Sequence, residues 1–263
     1  MPSYEPDVHV AALTYVIEHG ANISYDSPPS LEFENDLARF ILADGELRCE
    51  LVQHFADVSV AQARVDEVLR AWEALSDLRG NVGEIRFRFL RPEVIDRNPP
   101  VPGQIRGTSA VTLNAVGAAT GTVTAHLTKR SYPPPPLNFA ISPDVETLVR
   151  RWDGYRSGRE PLQSMAYFAL TAVEAIAGGR REAAELFGVE EAVLRKLGQL
   201  SSTRGDPETA RKASAALVPM LGEERAWLEQ AVRELVCCVA DTRSPASRPL
   251  LRMSDLIPLP PGT

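Results

Sequence analysis

Apolar and polar residues alternate through much of the first half of the chain, which is the period of a half-buried β-strand. The clearest case is the stretch 84–89, where Ile85, Phe87 and Phe89 point one way and the intervening positions are charged. Composition and alternation indicate further strands at 8–18, 39–42, 46–52, 109–116 and 122–129. We therefore expect an antiparallel sheet of about six strands.

Two hairpins are expected within this sheet. Asp44-Gly45 joins the second and third of these strands, and this dipeptide favours a type I′ turn because both central residues need positive φ. The glycine-bounded stretch 117–121 joins the last two strands. It opens no helix, so a hairpin loop explains it better than a phosphate-binding loop.

Between residues 60 and 78 the apolar residues recur with the period of a helix. Val65, Leu69 and Trp72 recur there at spacings of three and four, which is typical of an amphipathic helix. This helix is expected to cover one face of the sheet.

The second half of the chain shows helical periods only. Ser142-Pro143-Asp144 supplies an N-cap, a proline at the first helical position and an early carboxylate. The stretch 161–177 is apolar almost all round, which predicts the central helix of a bundle ending at Gly178. The remaining helices are predicted at 180–187, 190–200, 206–217 and 223–240.

Four consecutive prolines at 133–136 divide the two halves and favour a stiff spacer. The fold class predicted is α+β, with an N-terminal antiparallel sheet domain that carries one helix and a C-terminal all-helical bundle. The tail has five prolines and no period, so it is either unstructured or an extended arm laid on a surface. The predicted parts are a β-rich domain at 1–131, a linker at 132–141, a helical domain at 142–242 and the tail at 243–263.

Composition narrows the class of protein only a little. The apolar fraction of 44% and the charged fraction of 24% are those of an ordinary globular chain. The net charge of −7 and the absence of a basic domain count against affinity that comes from broad phosphate neutralisation. The three cysteines suggest no disulfide framework, and no apolar stretch is long enough for a bilayer, so we expect a cytoplasmic protein without a membrane partner.

The most specific local pattern lies at 180–200. It contains a small residue, Ala184, and a glycine suited to a turn, Gly188. Apolar residues follow at Val189, Leu194 and Leu197. This segment resembles a helix-turn-helix.

The resemblance implies that the second helix faces nucleic acid. The residues that could then reach the backbone are Arg195, Lys196, Gln199 and Arg204. Glu190 and Glu191 stand where base-reading residues would be, which departs from the family. The alternative is that two consecutive bundle helices simply share a short turn.

Arg86 and Arg88 form the one concentrated positive feature of the first half. Guanidinium groups on one sheet face could bind a phosphate or carboxylate. The alternative is a solvated face whose arginines pair with Glu46 or Glu50 on a neighbouring strand.

No established catalytic, nucleotide-binding or metal-ligand motif occurs, and nothing in the sequence predicts a cofactor or a metal. The first hypothesis is a non-enzymatic interaction protein with a β-rich recognition half and a helical assembly half, whose partner is another protein or a second copy. The alternatives are a nucleic-acid-associated regulator that uses 180–200 and an enzyme with a pocket between the two halves.

Overall fold

The computed structural model describes residues 5–98, 126–204 and 218–260. The chain divides into two compact units, one formed by Met1–Ser76 and Gly83–Pro135 and the other by Asp77–Val82 and Pro136–Thr263. The first contains an antiparallel sheet with one helix and the second contains packed helices, so the predicted α+β class is confirmed.

The sheet of the first unit has five antiparallel strands in the order β3-β4-β5-β1-β6. A separate pair, β2 and β7, runs parallel. The strands are β1 (Val8–Glu18), β2 (Ile23–Tyr25), β3 (Leu31–Glu34), β4 (Ala38–Ala43), β5 (Glu46–Leu51), β6 (Arg86–Asp96) and β7 (Leu127–Lys129).

The hairpin of β4 and β5 forms as predicted. Asp44 and Gly45 both have positive φ, at 50° and 78°, as a type I′ turn requires. The register places Phe40 opposite Cys49 and Leu42 opposite Leu47, so the inward face of this hairpin is apolar. Because that face cannot remain in water, it needs a covering element.

Helix α1 (Val58–Arg79) is that element, as the period predicts. Its apolar side chains, including Val65, Leu69 and Trp72, join one core cluster with the inward residues of the sheet. Trp72 is fully buried and its indole N–H donates to the Pro133 carbonyl at 3.1 Å.

Two parts of the first unit differ from expectation. Strand β6 continues through Pro92, which the sheet tolerates because β6 is an edge strand among the described residues. The region 20–29 contains β2, although its prolines and glycine predict only turns. The predicted hairpin at 109–129 lies mostly outside the described residues, and its described end, β7, pairs with β2.

The helical unit is organised around one central helix, as predicted. Helix α3 packs against α2, α4, α5 and α6, and it ends at Gly178 in the left-handed conformation. The expected Ser142 cap is present, since the hydroxyl accepts from the Val145 amide. The helices are α2 (Pro143–Arg156), α3 (Leu162–Ala177), α4 (Arg180–Phe187), α5 (Glu191–Thr203) and α6 (Gly222–Ala240).

The helix expected at 206–217 lies outside the described residues. Among the helices that are described, none is long and apolar enough to cross a lipid bilayer.

The Trp72 hydrogen bond leads to a test of what holds the first unit together. We expect Trp72→Phe to lower the free energy of unfolding of that unit by about 1–2 kcal/mol more than Trp227→Phe lowers that of the helical unit. Both indoles are fully buried, but that of Trp227 has no hydrogen-bond partner in the described part of the chain. Native-state hydrogen exchange reports the two units separately. If the two variants lose equal free energy of unfolding, the bond from Trp72 to Pro133 contributes nothing to stability.

Candidate functional site

The helix-turn-helix-like pair consists of α4, a turn and α5. Gly188 occupies the left-handed region with φ 64°, and its amide and that of Val189 donate to the Ala184 carbonyl. Val189, Leu194 and Leu197 are buried, in keeping with the roles that the resemblance implies. The fully buried small residue of α4 is Ala183, whereas Ala184 is partly exposed.

The C-terminal tail lies on the turn of this pair. The Glu190 amide donates to the Leu251 carbonyl, and the Leu251 amide donates to the Gly188 carbonyl, both at 2.8 Å. The Met253 amide donates to the Glu190 carboxylate, also at 2.8 Å. The described part of the tail is therefore an arm laid on the surface, as one of the two alternatives expects, with a short 3-10 helix at Met253–Asp255.

Arg248 forms hydrogen bonds that connect this arm to the ends of two helices. Its guanidinium donates to the Leu186 carbonyl in the last turn of α4 at 2.7 Å and to the Asp241 carbonyl after α6 at 2.8 Å. Cations are favourable at helix C-termini, where backbone carbonyls lack intrahelical partners. Further along, the Ile257 amide donates to Gln230 of α6, and Leu256 is buried.

The predicted nucleic-acid-binding residues do not form one free basic surface. Arg204 forms an ion pair with the fully buried Glu224 at 2.7 Å, so it stabilises the fold. Arg195 pairs with Glu191 at 2.9 Å within α5. Lys196 donates to Gln199 at 2.9 Å.

Arg86 and Arg88 lie on β6 and also bond locally. Arg86 donates to the Ile85 carbonyl at 2.7 Å, and Arg88 pairs with Glu18 on β1. Cross-strand pairs on the sheet include Arg91 with Glu46, Arg48 with Glu93 and Arg39 with Glu32. Such a pattern is typical of a solvated charged face.

Imidazole side chains do not gather into a metal site. His9 and His54 stack with ring centroids 5.2 Å apart. Within the described ranges, no group of three or more potential ligand side chains is arranged to hold a metal ion.

A cavity of about 490 Å³ lies in the first unit between α1 and the sheet. Three of its polar groups form bonds within the protein. The Tyr15 hydroxyl donates to Asp66 at 2.9 Å, and Glu73 accepts from the Phe87 amide at 2.7 Å. Burial of the Tyr15 ring and the bond to Asp66 raise the pKa of its hydroxyl.

A larger cavity, of about 620 Å³, lies in the helical unit where α2 ends, α3 begins and α6 begins; we call it the helical pocket. Its lining combines charged, polar and apolar groups. It consists of Tyr155, Arg156, Gly158, Glu160, Pro161, Leu162, Gln163, Pro219, Met220, Arg225 and Glu229.

The ionisable groups on one side of the helical pocket are paired. The Tyr155 hydroxyl donates to Glu229 of α6, and Arg225 stands 4.0 Å from the same carboxylate. Burial and then the bond to Glu229 raise the pKa of Tyr155 to about 12, so the phenol is protonated at neutral pH. Glu160 forms an ion pair with Arg151.

The other side of the helical pocket holds an unpaired polar group. Gln163 is only 5% exposed, yet its side-chain amide has no hydrogen-bond partner among the described residues. The amide atoms themselves are not fully buried, so they are accessible from the pocket. Gln163 thus presents a polar group with which water or a ligand in the pocket can pair.

The sequence holds one signal for this residue, namely a glutamine in the first turn of a helix that is apolar almost all round. The other pocket residues come from separate helices.

No protein-family model, no curated protein and no solved structure is significantly similar to this chain.

Docking of the arm on the turn can be tested at Gly188. A Cβ there would lie 3.2 Å from the Pro249 carbonyl oxygen and would also force an L side chain into positive φ. We expect Gly188→Ala to destabilise the helical unit by about 1–2 kcal/mol and to speed cleavage of the arm in limited proteolysis. Gly222→Ala is the control, because no atom lies within 4 Å of a Cβ at that position. Equal protease sensitivity of the two variants would contradict the docking.

The nucleic-acid hypothesis has its own test. Because the arm covers the turn and the basic side chains are bonded, we expect reversal of Arg195 and Lys196 to glutamate to change duplex DNA affinity by no more than about twofold. Fluorescence anisotropy between low and physiological salt measures this. The control reverses Arg64 and Arg70, two exposed arginines of α1. A steep loss of affinity confined to the first variant would favour the nucleic-acid hypothesis.

Proposed function

We propose that this chain is a non-enzymatic binding protein and that its helical unit receives a small-molecule ligand in the helical pocket. The observation that carries this proposal is Gln163, a largely buried residue whose side-chain amide lines the cavity and has no partner among the described residues. A group of this kind is normally paired with protein, water or ligand.

Binding is favoured over catalysis by the state of the ionisable groups. A general base must be free to accept a proton, but Glu229 accepts from Tyr155 and Glu160 is paired with Arg151. Tyr155 has a raised pKa and holds its proton. The sequence has no histidine after His126, so no imidazole belongs to this unit.

The other sequence-based hypotheses stay predictions. A protein partner or a second copy of the chain fits a binding protein, and the β-rich unit as its recognition half is part of the same hypothesis. Nucleic-acid binding by 180–200 gains no support from the paired side chains of α5. An enzyme with a pocket between the two parts is a separate prediction.

The proposal can be tested with a thermal-shift screen of small carboxylates, phosphates, amines and neutral polyols. We expect Gln163→Leu to be folded and about as stable as the wild type, because it replaces an amide that bonds to no described residue with an apolar group of similar size. Compounds that raise the melting temperature of the wild type should fail to raise that of this variant.

Gln199→Leu is the matched control, since Gln199 is an exposed glutamine in the same unit and faces no cavity residue. Its response to each compound should equal that of the wild type. A screen in which no compound class stabilises the wild type, or in which Gln163→Leu responds fully, contradicts the proposal.

A further inference from the structure

We infer that the helical pocket binds the oxyanion of a small organic molecule, a carboxylate or a phosphate group, at the start of α3. This inference rests on the proposed function and specifies its ligand class. It depends on two features of the pocket, namely the backbone donors and the side-chain amide of Gln163.

The backbone donors come from the first turn of α3. Pro161 occupies the N-cap position and offers no side-chain hydrogen bond. The Ser164 and Met165 amides bond to the Pro161 carbonyl, whereas those of Leu162 and Gln163 have no partner in the described part of the chain. Both of these residues are buried and line the pocket.

Unpaired amides at the start of a helix favour an anion for two reasons. They are hydrogen-bond donors without acceptors, and the aligned peptide dipoles place a partial positive charge there. Helix α3 has 16 residues, so the dipole is fully developed. An oxyanion is the group that satisfies both conditions.

The Gln163 side chain supplies independent evidence. The residue is only 5% exposed, and its amide group lines the same cavity and can donate through its nitrogen. A carboxylate or phosphate oxygen placed near Leu162 and Gln163 could accept from both backbone amides and from this side chain. One ligand group would then pair three donors that are otherwise unsatisfied.

The charges around the pocket permit an anion. Glu160 is neutralised by Arg151, and Glu229 accepts from Tyr155 beside Arg225. Arg156 has no hydrogen-bond or ion-pair partner among the residues that the structure describes. The lining holds two arginines, Arg156 and Arg225, and two carboxylates, Glu160 and Glu229, so its formal charges balance.

The remaining lining accommodates an organic body. Pro161, Leu162, Pro219 and Met220 are apolar, and the cavity of about 620 Å³ is of the size that small-molecule sites have. We therefore expect a small molecule in which the oxyanion is attached to a partly apolar group.

The test is a titration of the ¹⁵N-labelled full chain with inorganic phosphate, with acetate and with acetamide as the neutral counterpart of acetate, all at constant ionic strength. We expect saturable shifts of the Leu162 and Gln163 amide signals with at least one of the two anions and none with acetamide. The anion that binds more tightly distinguishes a carboxylate ligand from a phosphate ligand.

Variants locate the site. Gln163→Leu should weaken anion binding about tenfold, because a hydrogen bond to a charged group is lost. Arg156→Gln changes an exposed side chain, so it leaves the fold intact and should weaken binding a few-fold. Arg181→Gln, at an exposed arginine on α4, is the control and should bind as the wild type does.

The possible outcomes separate the two proposals. Binding of neutral or cationic compounds in the thermal-shift screen, with no saturable response to phosphate or acetate, overturns the anion inference and leaves the pocket as a binding site. Anion binding that both Gln163→Leu and Arg156→Gln retain places the anion elsewhere and overturns the inference. Absence of any ligand for the wild type overturns both proposals.

Discussion

The packing of α3 against its neighbours is the constraint on which the helical unit depends. Four of the described helices pack against it, and α5 comes so close that a Cβ at Gly198 would lie 3.0 Å from Leu170. The ends of such a helix leave backbone groups without intrahelical partners. Gly178 ends α3 with a backbone hydrogen bond, but Pro161 leaves its start without a side-chain cap. The helical pocket lies at this uncapped start of α3.

The arm supplies hydrogen-bond partners to the turn of the helix-turn-helix-like pair. A turn between two helices exposes backbone groups that need partners. Here the amide of Glu190 and the carbonyl of Gly188 bond to Leu251, and Arg248 bonds to the end of α4. The arm thus satisfies groups that would otherwise face solvent or a ligand. It supplies a physical reason for an ordered tail that has no period of its own.

The sequence predicts those features that depend on local chemistry. The Asp44-Gly45 turn, the Ser142 cap and the central helix all follow from steric preference, capping and apolar period, and all are present. Pairing of β2 with β7 could not be predicted, because it joins two three-residue strands far apart in the chain. The pocket could not be predicted for the same reason, since Tyr155 meets Glu229 only after α2 and α6 have packed.

Gln163 connects stability with function in this unit. Its side-chain amide and the two backbone donors face the pocket, where water can pair with them, so each costs the empty protein less than the roughly 1–3 kcal/mol of a dry site. A ligand that pairs with these groups and binds only the folded state would raise the stability of the unit. A leucine at this position would pack without a polar group but could not orient a polar ligand. Under the proposed function, the glutamine is the group that orients the ligand.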